Sequence, residues 1–189
     1  MLSLLVFISV AFAAAIPAAP KLVPVCTITL QIIGPIQSLY IDNTTKSESI
    51  LGVVAKGNVT TIENDLGFAV DLSDVSGYDN LILYVDMDYG TTKVDLHGIT
   101  PNGTDVRISY SGKLLAPGGV SAVLSGEISS PEDYILSNTP IFAVSGTVPD
   151  DLVWLQRESL IGKGRFVTQD GDTYVVYTVY VMEKESNSD

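Results

Sequence analysis

The chain has 189 residues, of which 46% are hydrophobic and 17% charged, with one Cys and one His. A chain of this length buries enough apolar surface for one domain, so a multidomain enzyme is not expected. The 10 Lys and Arg against 22 Asp and Glu give a net charge of −12, which disfavours nucleic acid and anionic membrane surfaces as partners.

The N-terminal segment is apolar and short. Residues 2–15 are apolar or small apart from Ser3 and Ser9, a run shorter than the roughly 20 residues of a membrane-spanning helix. Ala13 and Ala15 each end a small-x-small triplet that a signal peptidase accommodates. We therefore predict a signal peptide over 1–15, a linker over 16–24, and a secreted, extracellular or cell-surface protein with no membrane association after cleavage.

Three Asn-x-Thr triplets agree with secretion. They begin at Asn43, Asn58 and Asn102, none has Pro in the middle, and each predicts an N-glycosylation site. Cys26 has no partner within the chain, so an intrachain disulfide is excluded. It is expected to be a buried small apolar residue, with intermolecular pairing as the alternative.

The rest of the chain has the pattern of an all-β protein. Short runs rich in Val, Ile, Thr and Tyr alternate with Gly, Asn, Asp and Pro, and no sustained helical period occurs. We predict an antiparallel meandering β-barrel of about eight to ten strands over residues 25–182, preferred to a sandwich because closure removes exposed edges. The polar residues 183–189 are predicted to be a disordered tail. The candidate strands are 25–33, 50–61, 67–72, 81–88, 92–99, 105–114, 120–128, 140–147, 160–168 and 173–182.

The residue pattern of the central hairpin predicts the register in which its two strands pair. A two-residue Asn102-Gly103 loop would mix polar and apolar side chains on both faces, whereas a three-residue loop over 101–103 separates them. Pro101 then suits a type I turn and Gly103 the left-handed bulge position. This loop pairs Leu96 with Ile108, and it also pairs Val94 with Tyr110 and Gly98 with Val106.

One short helix is predicted near residues 150–157. Asp150 supplies a cap and a brief apolar stripe follows it. Trp154, within this stripe, would either close one end of the barrel or serve as a ligand platform.

Several blocks of sequence resemble a known family. The residues are 94–112, Ile141-Phe142-Ala143, Val153-Trp154-Leu155-Gln156-Arg157, Gly162-Lys163-Gly164-Arg165 and the alternating last strand 174–180. In this order they resemble domain of unknown function 3237, and the chain is identified as a fungal-type secreted member. The resemblance implies a small antiparallel β-barrel and transfers no catalytic residue.

The polar face of the central hairpin is one candidate site. His97 would act as a base, Asp95 would orient it and Arg107 would stabilise an oxyanion. Lys93, Ser109, Trp154 and Tyr177 are the candidate ligand-binding residues. The alternative is an ordinary solvent-exposed face, because strand alternation produces such a group on any hairpin.

Other chemistries have less support. One His and one Cys cannot form the usual nitrogen and sulfur metal site, so neither a metal nor a cofactor is predicted. Asp71, Asp74 and Asp79 are interpreted as turn residues.

The leading functional hypothesis is a barrel that binds a small apolar or aromatic molecule without catalysis. A cofactor-free small-molecule isomerase or cyclase and a structural cell-surface protein are the alternatives, so enzymatic activity stays open. A homodimer through a barrel edge or the Tyr-rich last strand also stays open.

Overall fold

A computed structural model describes residues 19–84, 88–117, 119–128 and 130–183, without the side chains of 34–37 and 121. The predicted signal peptide lies outside the described residues, as does the predicted tail except for Glu183. Within the described part of the chain, no helix is long and apolar enough to span a membrane.

Eight strands form a closed antiparallel barrel in which each strand pairs with the next and β8 pairs with β1. The predicted fold class is therefore confirmed. The strands are β1 Leu22–Asp42, β2 Ser47–Thr61, β3 Ser73–Tyr84, β4 Tyr89–Ile99, β5 Asp105–Leu115, β6 Ile135–Val144, β7 Leu160–Gln169 and β8 Asp172–Met182. Because β1 begins at Leu22, it starts inside the segment predicted as a linker.

The central hairpin, β4 and β5, has the predicted register. Leu96 pairs with Ile108 and both are fully buried, so they point into the barrel. At the turn, the Gly103 amide donates to the Thr100 carbonyl at 2.9 Å, and Gly103 has a φ of 80°. These are the features of the three-residue loop, which keeps every second side chain of both strands inside.

The two ends of the barrel differ. At one end lie the turns β1–β2, β3–β4 and β7–β8 together with the long β5–β6 connection, which contains helix α1, Val120–Leu124. We call this the cavity end. At the opposite end, the β6–β7 connection contains a 3-10 turn, Asp150–Leu152, and helix α2, Trp154–Arg157, close to the predicted position of a helix.

The prediction of a strand over 120–128 is wrong, because this segment contains α1. Val120 and Val123 are buried, at the three-residue spacing that places side chains on one helix face. A short helix therefore covers the cavity end with its apolar side.

The prediction of a strand over 67–72 is also wrong apart from one bridge between Leu72 and Val59. The Asn64 side chain holds this connection as a loop. Its amide nitrogen donates to the Ile62 and Phe68 carbonyls at 2.7 and 2.8 Å, and its oxygen accepts from the Leu66 and Phe68 amides. A side chain that satisfies the backbone in this way replaces strand pairing.

Trp154 closes the end opposite the cavity. It is 8% exposed, its ring stacks on Phe68 with centroids 4.6 Å apart, and its indole nitrogen donates to the Ala69 carbonyl at 3.3 Å. Cys26 is fully buried in the core, as predicted, and burial raises the pKa of its thiol to about 12. The thiol therefore stays protonated inside the barrel.

Candidate functional site

The predicted catalytic group lies on the outer face of the barrel. His97 pairs with Arg107 across β4 and β5, and both side chains are exposed. The Arg107 guanidinium donates to both Asp95 oxygens, at 2.7 and 2.5 Å, and this contact lowers the pKa of Asp95. His97, Asp95 and Arg107 therefore share a surface, and that surface does not line the interior of the barrel.

The predicted ligand-binding residues are not brought together. Lys93 and Ser109 lie on the same outer face as His97, whereas Trp154 lies at the end of the barrel opposite the cavity. Tyr177 is different, because it is buried inside the barrel and lines an interior cavity.

This cavity has a volume of about 140 Å³ and lies between the strands and α1, whose Leu124 forms part of its wall. Most of the wall is aliphatic or aromatic. The lining residues are Ile32, Ile50, Gly52, Asp79, Leu81, Thr92, Leu114, Leu124, Leu136, Phe166, Thr173, Val175 and Tyr177. Asp79 is the charged side chain among these lining residues.

Asp79 lies within β3, so its interpretation as a turn residue is wrong. It shares the inner face of the strand with Leu81 and Leu83, and it accepts a hydrogen bond from the Thr92 hydroxyl of β4. Burial raises the pKa of Asp79 to about 6, although the Thr92 hydrogen bond opposes this rise. The carboxyl group therefore changes its charge near neutral pH.

Two tyrosines lie next to the cavity. The rings of Tyr110 and Tyr177 meet edge to face with centroids 5.5 Å apart, and both side chains are buried. Burial raises the pKa of each hydroxyl, and the Asp79 charge adds to the rise. Both groups therefore stay neutral and remain able to donate a hydrogen bond.

Asn138 of β6 is buried between two glycines, Gly112 of β5 and Gly162 of β7. A Cβ atom at Gly162 would lie 2.0 Å from the Asn138 side-chain oxygen, so this position has space for no side chain. The Tyr110 hydroxyl interacts with Asn138, but neither polar atom of the carboxamide has a well-formed hydrogen bond to any described residue. Buried polar atoms without a hydrogen-bond partner are uncommon. The Asn138 carboxamide extends the polar region beside Tyr110.

The chemistry of the cavity follows from these groups. Its apolar wall suits an apolar ligand, and Asp79 with Thr92 and Tyr177 supplies a few polar contacts, a composition typical of small-molecule sites. No group of three or more metal-ligating side chains occurs among the described residues.

The sequence contained a signal for Asp79. Val75, Asp79, Leu81 and Leu83 follow a two-residue period, and this period places them on one face of a strand. The predicted strand began only at residue 81, because Ser76, Gly77 and Asn80 look like turn residues. The predicted strand therefore omits Asp79, which shares the inner face of β3 with Leu81 and Leu83.

The three predicted glycosylation sites lie on the surface. Asn43 is exposed in the β1–β2 turn, Asn58 on the outer face of β2 and Asn102 in the β4–β5 turn. Each side chain is accessible to modification, and glycosylation itself stays a prediction.

Residues 20–182 match the family described as protein of unknown function (DUF3237), so the chain belongs to that family. No curated protein matches the chain.

Solved structures share the fold. A conserved protein of unknown function from Rhodopseudomonas palustris has a TM-score of 0.67 at 17% identity, covering 89% of this chain and 100% of its own. A protein with unknown function from Clostridium acetobutylicum ATCC 824 has a TM-score of 0.64 at 13% identity, covering 86% and 99%. A beta-barrel like protein from Acinetobacter baumannii AYE has a TM-score of 0.65 at 14% identity, covering 90% and 100%.

Proposed function

We propose that this member of the DUF3237 family binds a small apolar or aromatic molecule, without catalysis, in the cavity beneath α1. The observation that carries the proposal is the cavity of about 140 Å³, with its largely apolar wall and few polar groups. An eight-stranded barrel has an interior that is either filled by side chains or holds one small ligand. The space beside Gly52 and Leu114 favours a bound ligand over a filled interior.

The size of the cavity limits the ligand. An apolar cavity of about 150 Å³ in another protein stays dry and binds benzene. A ligand of about one ring with a short substituent therefore matches the cavity of about 140 Å³.

A binding experiment tests the proposal with toluene, indole and a short-chain alkanol as probes. Thermal unfolding should shift upward in a saturable manner, because a ligand that binds only the folded state stabilises it. In two-dimensional NMR spectra, the signals of Leu114, Leu136 and Val175 should move with the same saturation. If no probe produces either effect, the cavity does not bind apolar molecules.

A cavity-filling variant gives the matched control. A Cβ atom at Gly52 would have its nearest neighbours at 3.8 Å, so Gly52→Leu extends into the cavity and should abolish binding. Val53→Leu adds a methylene group at an adjacent exposed position on the outer face and should leave binding unchanged. Equal binding by the two variants would place the ligand elsewhere.

We also propose that the protein is secreted and glycosylated. The apolar run over 2–15 supports secretion, and the exposed positions of Asn43, Asn58 and Asn102 are compatible with glycosylation. Expression of the full chain in eukaryotic cells should deliver it to the medium with a mass that falls on treatment with an N-glycosidase. The triple Asn→Gln variant is the control, and retention of the protein in the cells would contradict secretion.

A further inference from the structure

We propose that the cavity selects molecules that combine an apolar body with a protonated amine, and that the ammonium group pairs with the Asp79 carboxylate. This inference rests on the proposed function and names the chemical class of its ligand.

Asp79 has no cationic partner among the described residues. The groups that shift its pKa are its own burial and the Thr92 hydroxyl, with no contribution from Lys or Arg. Alternation places the basic side chains of the strands on the outer face, where all are exposed. Among the described residues of all the barrel strands, they are Lys56, Lys93, Arg107, Lys113, Lys163 and Arg165.

A carboxylate in apolar surroundings is costly unless a proton or a cation neutralises it. The pKa of Asp79 is raised because burial without a neighbouring cation disfavours its charged form. A ligand ammonium within the cavity would supply the missing charge, and its N–H groups would donate to a carboxylate that has only one described donor, Thr92. A neutral ligand gains the apolar contacts but leaves the charge uncompensated.

The charged residues at the cavity end also favour a cationic ligand. The described connections at the cavity end contain five acidic residues and one basic residue, Lys46. The acidic residues are Asp88, Glu127, Glu132, Asp133 and Asp170. Together with the net charge of −12, they attract cations towards this end and repel anionic ligands.

The volume sets the size of the apolar body. About 140 Å³ holds one six-membered ring, and a one-carbon arm would carry the ammonium group towards Asp79. Benzylamine therefore serves as the probe, while benzyl alcohol and toluene have the same ring with a neutral substituent.

Binding of the amine should depend on pH through Asp79. The titratable groups that face Asp79 are Tyr110 of β5 and Tyr177 of β8, and both stay neutral because their pKa values are raised. From β2, Gly52 approaches Asp79, and from β4 the neighbour is Thr92; neither titrates. An alkylamine stays protonated below about pH 9, so the ionisation of Asp79 alone should govern the profile.

The experiment measures the dissociation constants of benzylamine, benzyl alcohol and toluene by NMR titration of the full folded chain. At about pH 7.5 benzylamine should bind about tenfold more tightly than benzyl alcohol, the size of effect expected when a charged pair replaces a neutral contact. With a pKa of about 6 for Asp79, benzylamine should bind about tenfold more weakly at about pH 5, while toluene should change little.

Asp79→Asn is the diagnostic variant, and Asp95→Asn removes a carboxylate from the outer face as its control. Asp79→Asn should weaken benzylamine binding about tenfold and leave toluene within about twofold. If Asp79→Asn does not fold, benzylamine binding by the unmodified chain at about pH 7.5 and about pH 5 decides whether Asp79 pairs with the ammonium group.

The outcomes separate the two proposals. Equal binding of all three probes, or amine binding that ignores both pH and Asp79→Asn, overturns the inference but leaves the proposed function standing. Failure of all three probes overturns the proposed function itself.

Discussion

Inside the barrel, the Thr92 hydroxyl of β4 donates a hydrogen bond to the Asp79 carboxylate of β3. The two residues lie on the inner faces of adjacent strands, at the wall of the cavity. This contact opposes the effect of burial on the pKa of Asp79. Thr92 therefore helps to keep a carboxylate charged in an apolar interior.

Thr92→Val should raise the pKa of Asp79 above its value of about 6, because the substitution removes the hydrogen bond that stabilises the charged form. NMR titration of the Asp79 carboxyl carbon measures the change. Thr91→Val removes a hydroxyl from the adjacent residue on the outer face and should leave this pKa unaltered. An unchanged titration in Thr92→Val would show that the hydrogen bond does not form.

The stability of the protein should fall as pH rises through the range of about 4 to 6 on account of Asp79. The pKa of Asp79 is about 6 in the folded state against 3.8 for an unperturbed Asp. In this range the folded state binds more protons than the unfolded state, so the contribution is present below about pH 4 and lost above about pH 6. The full loss is about 3 kcal/mol at most, from a shift of about two pKa units.

Asp79→Asn isolates this contribution from the other carboxyl groups. The difference in free energy of unfolding between the variant and the unmodified chain, measured by urea denaturation, should increase in favour of the variant between about pH 4 and pH 6. Asp95→Asn should show no such trend, because the Arg107 contact lowers the pKa of Asp95. A difference that is constant with pH would contradict the raised pKa.

Gly164→Ala should destabilise the barrel, because a Cβ atom there would lie 2.5 Å from the Tyr177 ring. Overpacking of this kind costs about 1–3 kcal/mol. Gly52→Ala is the matched control within another strand, since its Cβ atom would have ordinary contacts at 3.8 Å and beyond. Chemical denaturation should separate the two variants, and equal stabilities would mean that Tyr177 moves aside without cost.

Trp154→Ala should lower the free energy of unfolding by about 3–5 kcal/mol, because the indole is buried and stacked on Phe68. The cavity is at the opposite end of the barrel, so the affinity for toluene should not change. Trp154→Phe keeps a ring against Phe68 and should lose less stability. A loss of probe binding in Trp154→Phe would instead support a ligand platform at this position.

The sequence alone determined most of the barrel strands, the meander and the register of the central hairpin, whereas the strands that it predicted over 67–72 and 120–128 are wrong. These features depend on local physics: strand residues alternate with a period of two, turns need Gly and Pro at particular positions, and apolar partners such as Leu96 and Ile108 must share a face. The same alternation had already placed His97, Asp95 and Arg107 together, opposite the apolar face.

Only the tertiary structure decided which polar residues face the interior. Asp79 lies in a stretch with turn-forming neighbours, and its inward direction depends on the pairing of β3 with β2 and β4. The cavity depends on the combined volumes of residues from all eight strands and from α1, which no local pattern reveals. Residues 120–124 form a helix, α1, because the cavity end of the barrel needs an apolar cover, and this requirement arises only once the strands have paired.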